Sequence, residues 1–369
     1  MPTYTKPALV LDERRTRRNI ERMTEKAARL GLRFRPHFKT HQSRHIGRIF
    51  RDLGVEAITV SSVDMASYFA ADGWRDILIA FPINVLEMAD IRSLSSRCRL
   101  GLLVEASDGL AALAKGIAAP VDIWIKVDIG ANRTGVDWND GAAMIRICRD
   151  ASRRPDLRLR GLLTHNGRTY GARTLPALGR SHADSLRKMR LARRRLAAAG
   201  FAGLEISVGD TPSCLRLGDF ADVDEIRPGN FVLCDVMQLE LGTCREADVA
   251  AAVACPVVAV HAKRREVVVY GGAIHLSKED FVSRRDGRIF GRVCRPRGAG
   301  WGPVLPDTAV CALSQEHGVI RTTASEVGRI RPGDVLFVLP VHSCLTVNLW
   351  GNYVCLDGTK IPTMRSESL

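Results

Sequence analysis

The stretch FRPHFKTHQS at residues 34–43 sets one lysine, Lys39, between His37 and His41, with Arg35 four residues upstream. Positive charge near an ammonium lowers its pKa toward the free amine that condenses with an aldehyde, so Arg35, His37 and His41 read as a shell that tunes an imine-forming lysine. An ordinary basic strand end would produce the same letters. A second stretch, SVGDTPS at residues 207–213, carries a glycine and hydroxyl residues where a turn would free backbone amides. Such amides hold phosphate, although Gly-Asp-Thr-Pro also makes a plain turn. In a third stretch, LPVHSCLTVN, His342 and Cys344 alternate along a strand-like run and therefore face one side. Imidazole with thiolate suits zinc, and two ligands leave room for water, substrate or another residue, as a catalytic metal requires. The alternative for that pair is plain core. A candidate imine lysine together with a phosphate-type turn suggests pyridoxal phosphate.

The elements that must position these groups follow a repeating rhythm. Short apolar runs at residues 32–39, 57–61, 76–80, 100–104, 121–128, 157–164, 204–208 and 223–234 alternate with stretches of helical spacing, such as SVDMASYFAADG and ADSLRKMRLARRRLAAAG. Eight βα units in about 235 residues predict a (β/α)8 TIM-type barrel. Lys39 then lies at the C-terminal end of the first strand, where barrel sites are assembled, and residues 207–213 follow the seventh, beside the loops that commonly take phosphate. Arg133 follows the fifth strand, and His165 and Tyr170 the sixth. Glu316 and His317 stand in SQEHG, and His275 in YGGAIHL has no assigned role, whereas His45, His182 and His261 read as surface or core. Beyond Asp235 the pattern changes to Val-rich runs between Gly and Pro turns. The expected organisation is an α/β barrel over residues 12–238 and a C-terminal β domain over 239–369, with residues 1–11 joining the latter as an extra strand.

Composition narrows the functional classes. Among 369 residues, 46% are hydrophobic and 25% charged, ordinary globular fractions that exclude a disordered or fibrous chain. The net charge of +14 is spread over separate stretches with only 6% aromatics, so it reads as arginine-rich solvated faces that handle small anions, with no nucleic acid as partner. Ten cysteines are scattered with no CxxC pair, and the start MPTYTKPALVLD shows no signal peptide. Both lead to an expectation of reduced thiols and a cytoplasmic location, with no membrane segment.

These stretches together resemble the pyridoxal-phosphate lyases with an alanine-racemase-type barrel (fold type III), the D-threonine aldolase and D-serine dehydratase family. The resemblance rests on RPHxKTH, the HxG…Y stretch at His165, the turn near Gly209, RPGN at 227–230, EHG at 316–318 and PxHxC at 340–344, in the family's order. It implies that Lys39 carries the cofactor, with His37 and Tyr170 beside it. Ser207, Gly209, Asp210 and Thr211 are implied to hold its phosphate, and Arg133 to face the ring nitrogen. His342 and Cys344 are implied to bind a divalent metal, zinc first and manganese or magnesium as alternatives, against the substrate's β-hydroxyl. The candidates for the catalytic base are Lys39, His165 and Tyr170.

The reaction implied is elimination of water from a D-3-hydroxy amino acid such as D-serine or D-3-hydroxyaspartate. Retro-aldol cleavage to glycine and an aldehyde is the alternative, and racemisation stands third. The cysteine in the metal pair matches the zinc-dependent dehydratases, where some aldolases of the group have His-x-Asp. Gln42 stands where lysine is frequent in the family, and Asp210 is an unusual non-glycine in the phosphate turn. The family also implies a homodimer.

Overall fold

The computed structural model describes residues 4–113 and 116–367. The chain divides into two compact units, one formed by residues 22–39 and 50–229, the other by residues 1–21, 40–49 and 230–369.

In the first unit eight strands lie side by side, in the order Arg33–Phe34, Glu225–Ile226, Glu205–Val208, Leu157–Leu163, Val121–Asp128, Arg99–Val104, Asp76–Pro82 and Ala57–Val60. Every neighbouring pair is parallel. The two edges meet where His37 bridges Thr59, with Phe38 N–H donating to Thr59 O at 2.9 Å and Thr59 N–H to Pro36 O at 2.9 Å, so the sheet closes into a barrel. All eight runs read from the sequence contain a strand. The first and last are only two residues long. Pro36 and Pro228 lack the N–H that a longer ladder needs, and each follows its strand within two residues.

Helices connect the strands, and their ends are chemically marked. Ser62 caps Val63–Ala71 by accepting Met65 N–H at 3.1 Å, and Thr174 caps Leu175–Ala198 through Ala177 N–H. The latter stops before Gly200, whose φ of 95° suits glycine. Along Val121–Asp128 the period of two puts Asp122, Trp124 and Lys126 on one face. Trp124 packs with Leu78, Leu103 and Leu163 from three other strands, a layer of apolar side chains across the barrel.

The N-terminal mouth of the barrel is closed by charge. Arg99 and Arg158 bind Asp122 at 2.7 and 2.9 Å, while Arg160 and Arg33 both bind Glu205. Arg35 spans Glu225 at 2.8 Å and Asp76 at 2.6 Å. Burial opposes the Arg35 charge, but Glu225 and Asp76 outweigh it and hold its pKa above the ordinary arginine value. Glu225 itself is fully buried and accepts Ser207 Oγ–H at 2.6 Å.

The second unit is built on a nine-stranded sheet. Ala251–His261 lies near its middle, antiparallel to Val335–Pro340 on one side and to Ala8–Leu11 on the other; the latter also pairs parallel with Asn352–Cys355. Residues 12–21, 40–49 and 230–238, read from the sequence with the barrel, cluster with this sheet. Local bonds explain their place: Tyr353 OH donates to His41 O at 2.8 Å, and Asn19 Nδ2 donates to Val232 O and Asp248 O.

Removing one partner of a buried, hydrogen-bonded charge pair typically costs 3–5 kcal/mol. Glu225→Gln is therefore expected to destabilise the barrel by about 3 kcal/mol, read by urea unfolding followed through the fluorescence of the buried Trp74 and Trp124. A loss below about 1 kcal/mol would mean that neutral hydrogen bonds suffice at the mouth.

Candidate active site

Lys39 is exposed in a turn directly after the bridge that closes the barrel, and its backbone N–H reaches His37 Nδ1 at 3.4 Å. The expected shell of charges around it is not what forms. Arg35 is four residues away along extended chain, and its guanidinium is bound to Glu225 and Asp76 at the opposite end of the barrel strands. His41 lies in the other unit, fully buried, and burial lowers its pKa to about 3, so it carries no charge. Of the three residues, His37 alone stays beside the lysine.

The other candidates of the barrel unit converge at the turn after Glu205–Val208. His165 Nδ1 lies 2.6 Å from Gly209 O, and because a carbonyl only accepts, Nδ1 holds the proton and Nε2 is left as an acceptor. Burial, then the positive charges of Lys39, Arg133 and Arg227, lower the His165 pKa to about 3. The same effect places those cations in one neighbourhood with the imidazole, which stays neutral near pH 7. Tyr170 stacks at 6.0 Å from His165, and its hydroxyl accepts Thr211 N–H at 3.3 Å.

Asp210 and Ser207 have partners that the sequence does not reveal. The Asp210 carboxylate caps Thr211–Arg216 by accepting Ser213 N–H at 2.9 Å, and it accepts Thr169 Oγ1–H at 2.8 Å. Burial raises its pKa. An acid in a phosphate-type turn is thus turned inward as a structural cap. Ser207 is a correction: its hydroxyl donates to Glu225 and accepts Arg227 Nε–H at 2.7 Å, so the side chain belongs to the barrel interior and not to the turn's binding surface. Gly209 is required by space, since a Cβ there would lie 2.8 Å from Arg227 C and 2.9 Å from Arg227 Cα. The fit to a bound phosphate rests on this close-packed turn, Thr211 and Tyr170, with Lys39 and Arg133 supplying positive charge nearby.

Two residues of this neighbourhood escape the sequence reading. Arg227 is buried, bonds Thr164 O at 2.6 Å, and has its pKa lowered to about 10, chiefly by burial. Lys126 is buried on the face that also carries Trp124; burial first, then Arg227 and Arg133, lower its pKa to about 8. Its signal was a lysine at an inward position of the apolar strand VDIWIKVD. Arg227 was visible in RPGN, but nothing local says that its side chain turns into the barrel.

In the β unit, strand Val335–Pro340 ends before the third motif, and His342 and Cys344 stand at the start of the short helix Ser343–Val347. They are brought together by a cap and not by strand alternation. Asp235 accepts Ser343 N–H at 2.9 Å and lies 3.3 Å from His342 Nδ1, while Thr40 Oγ1 is 3.2 Å from Cys344 Sγ. Asn230 Nδ2 donates to Asp235 at 2.5 Å. Burial opposes a charge on His342, but Cys344 and Asp235 outweigh it and its pKa stands well above the ordinary value. A carboxylate behind one imidazole nitrogen and a thiolate beside the ring fit a soft divalent metal on Nε2, which would take the place of that proton. Among the described residues no group of three or more His, Cys, Asp and Glu is placed to hold a metal. Glu316 meets His275 at 3.9 Å, beside Tyr270 and Trp350.

Residues 11–235 match the family model "Alanine racemase, N-terminal domain" and residues 250–356 match "Putative serine dehydratase domain". The chain belongs to this alanine-racemase-type family of pyridoxal-phosphate enzymes, fold type III. It is 31% identical to D-threo-3-hydroxyaspartate dehydratase of Delftia sp., over 93% of this chain and 92% of that one. It is 27% identical to D-serine dehydratase of Dictyostelium discoideum, over 94% and 91%. A solved metal-free form of a D-threo-3-hydroxyaspartate dehydratase, with a cysteine replaced by alanine, superposes with a TM-score of 0.90 at 30% identity, covering 98% of each chain. Among the described residues no helix is long and apolar enough to cross a membrane.

The buried lysine makes a pH prediction. Because Lys126 titrates at about 8 in the fold and near 10.5 when unfolded, the unfolded chain binds more protons between those values, so stability should rise with pH there. Lys126→Met, measured without added cofactor, is expected to flatten that rise by up to ~3 kcal/mol. A difference between the two proteins that is constant from pH 7.5 to 10.5 would show that Lys126 does not titrate early.

Proposed function

We propose that this lyase removes water from D-3-hydroxy amino acids, D-3-hydroxyaspartate or D-serine, giving a 2-keto acid and ammonia. The carrying observation is the grouping of Cys344 and His342 with Asp235, a soft sulfur–imidazole pair in which Asp235 lies 3.3 Å from His342 Nδ1 and Thr40 Oγ1 lies 3.2 Å from Cys344 Sγ. Dehydratase relatives spanning nearly the whole chain support the same reading.

When bound, pyridoxal phosphate supplies an electron sink for charge released at Cα, and a divalent ion, zinc by the softness of the thiolate, supplies a Lewis acid toward the β-hydroxyl. Lys39 would hold the cofactor through its ε-amine, and the same amine, when free, would take the Cα proton. His165 stays neutral; through Gly209 O it fixes the turn and acts as an orienting group, with little basicity for proton abstraction. Tyr170 binds Thr211 and secures the other side of that turn. Arg133 contributes a positive charge at the ring edge, and His37 sets the backbone geometry of Lys39. Loss of the Cα proton and of the β-hydroxyl releases one water, and hydrolysis of the resulting enamine yields the keto acid and ammonia. The reading includes a homodimer and a cytoplasmic location, the latter supported by ten cysteines that all stand as free thiols.

Lys39→Ala is expected to abolish the covalently held cofactor's visible absorbance and to lower turnover at least 1,000-fold, equivalent to about 4 kcal/mol. Cys344→Ala should lose the bound metal, measured by elemental analysis, with turnover falling about 100-fold or more while the cofactor absorbance is kept. Incubation with D-serine, D-threonine and D-3-hydroxyaspartate decides the reaction. Ammonia with keto acid and no glycine is the expected result; glycine with an aldehyde would establish the aldolase, and turnover that survives chelation without ammonia would point to a racemase.

A further inference from the structure

An unassigned feature is a cavity of ≈ 470 Å³ built wholly within the β unit, between the ends of Glu266–Tyr270, Gly300–Leu313 and His317–Arg321. Its size falls in the range of small-ligand sites. Three arginines line it: Arg265, Arg285 and Arg321.

Its charges do not cancel. Asp307 in the wall is bound by Arg285 at 2.5 Å, and Asp286 is bound by Arg292 from beneath. Glu266, directly across the ladder from Arg321, is bound by Arg264 at 2.8 Å. Each nearby carboxylate is therefore matched by its own arginine, and among the described residues neither Arg265 nor Arg321 has an ion pair. The two are nonetheless held together, because Thr322 N–H donates to Arg265 O at 3.0 Å.

The backbone supports an active retention of this arrangement. Arg265 adopts φ 54° and ψ 42°, and Asp307 φ 50°, left-handed conformations that a long side chain or an ordinary strand residue rarely takes. Two arginines that line one cavity and have no ion pair of their own among the described residues suit a ligand with two negative charges, which can accept from both planar forks.

We propose that this cavity is a second ligand site that takes a small doubly charged oxyanion, of the phosphate or dicarboxylate class, with Arg265 and Arg321 as its anchors. The site is independent of the cofactor, so the test uses the holoenzyme, whose cofactor is already in place. Calorimetric titration and thermal shift with inorganic phosphate, with malonate, and with chloride at matched ionic strength are compared for the wild type, Arg265→Ala, Arg321→Ala and Arg321→Glu. The wild type should bind one phosphate or malonate per chain saturably, and the order of the two affinities tells which class the site prefers. Each alanine variant should weaken that binding about tenfold or more, and Arg321→Glu should abolish it, with circular dichroism unchanged since both side chains are exposed. Equal response to chloride, or phosphate and malonate binding unchanged in the alanine variants, would overturn the proposal.

Discussion

A buried carboxylate governs the barrel. Glu225 sits between Arg35 at the N-terminal mouth and Ser207 in the interior, and Ser207 in turn accepts from Arg227, which reaches Thr164 O. Charge inside a low-dielectric core is tolerated only when each partner is satisfied, and this column satisfies one arginine at its lower end and another at its upper. The C-terminal end of the barrel inherits the result. Arg227, held by the column, is one of the charges that keep His165 and Lys126 away from their protonated forms.

That electrostatic inheritance explains why the site contains a neutral imidazole. A histidine next to a lysine and two arginines in a buried turn would be costly as a cation, and its proton is instead fixed on Nδ1 by the carbonyl of Gly209. The turn stays in place because Gly209 leaves no Cβ against Arg227, and because Asp210 points inward as a helix cap. A phosphate-type turn carrying an acid is consistent once that acid is seen to serve its own helix and to be biased by burial toward the neutral form. In the other unit Asp235 plays the equivalent part, ordering His342 and Ser343 through one carboxylate oxygen.

Much was legible in the sequence. Eight strand runs and the change to Val-rich strands are local signals, set by side-chain period and turn chemistry, and such signals need no knowledge of what lies across the fold. Lys39, His165, Tyr170, Gly209 and Thr211 could be named as candidates because a barrel sends the residues after its strands to one end. The residues misread were those whose partners are distant in sequence: Arg35 looked like a neighbour of Lys39 but pairs with Glu225, 190 positions away, and Ser207 looked like part of a phosphate turn but bonds Glu225 and Arg227. His342 and Cys344 were read on a strand, whereas they stand at the start of the helix Ser343–Val347, capped by Asp235.

By itself, then, the sequence determined a barrel with a β domain, the lysine that ends the first strand, and the thiol–imidazole pair, since period, spacing and residue chemistry are properties of neighbouring residues. Only the tertiary structure decided which charges meet. It turned Arg35 to the mouth, buried Lys126 and Arg227 in one neighbourhood, neutralised His41 and His165, and put Arg265 and Arg321 on one cavity with no ion pair of their own among the described residues. The reason is physical: a pKa and an ion pair depend on dielectric and on distance through space, and neither is a function of distance along the chain.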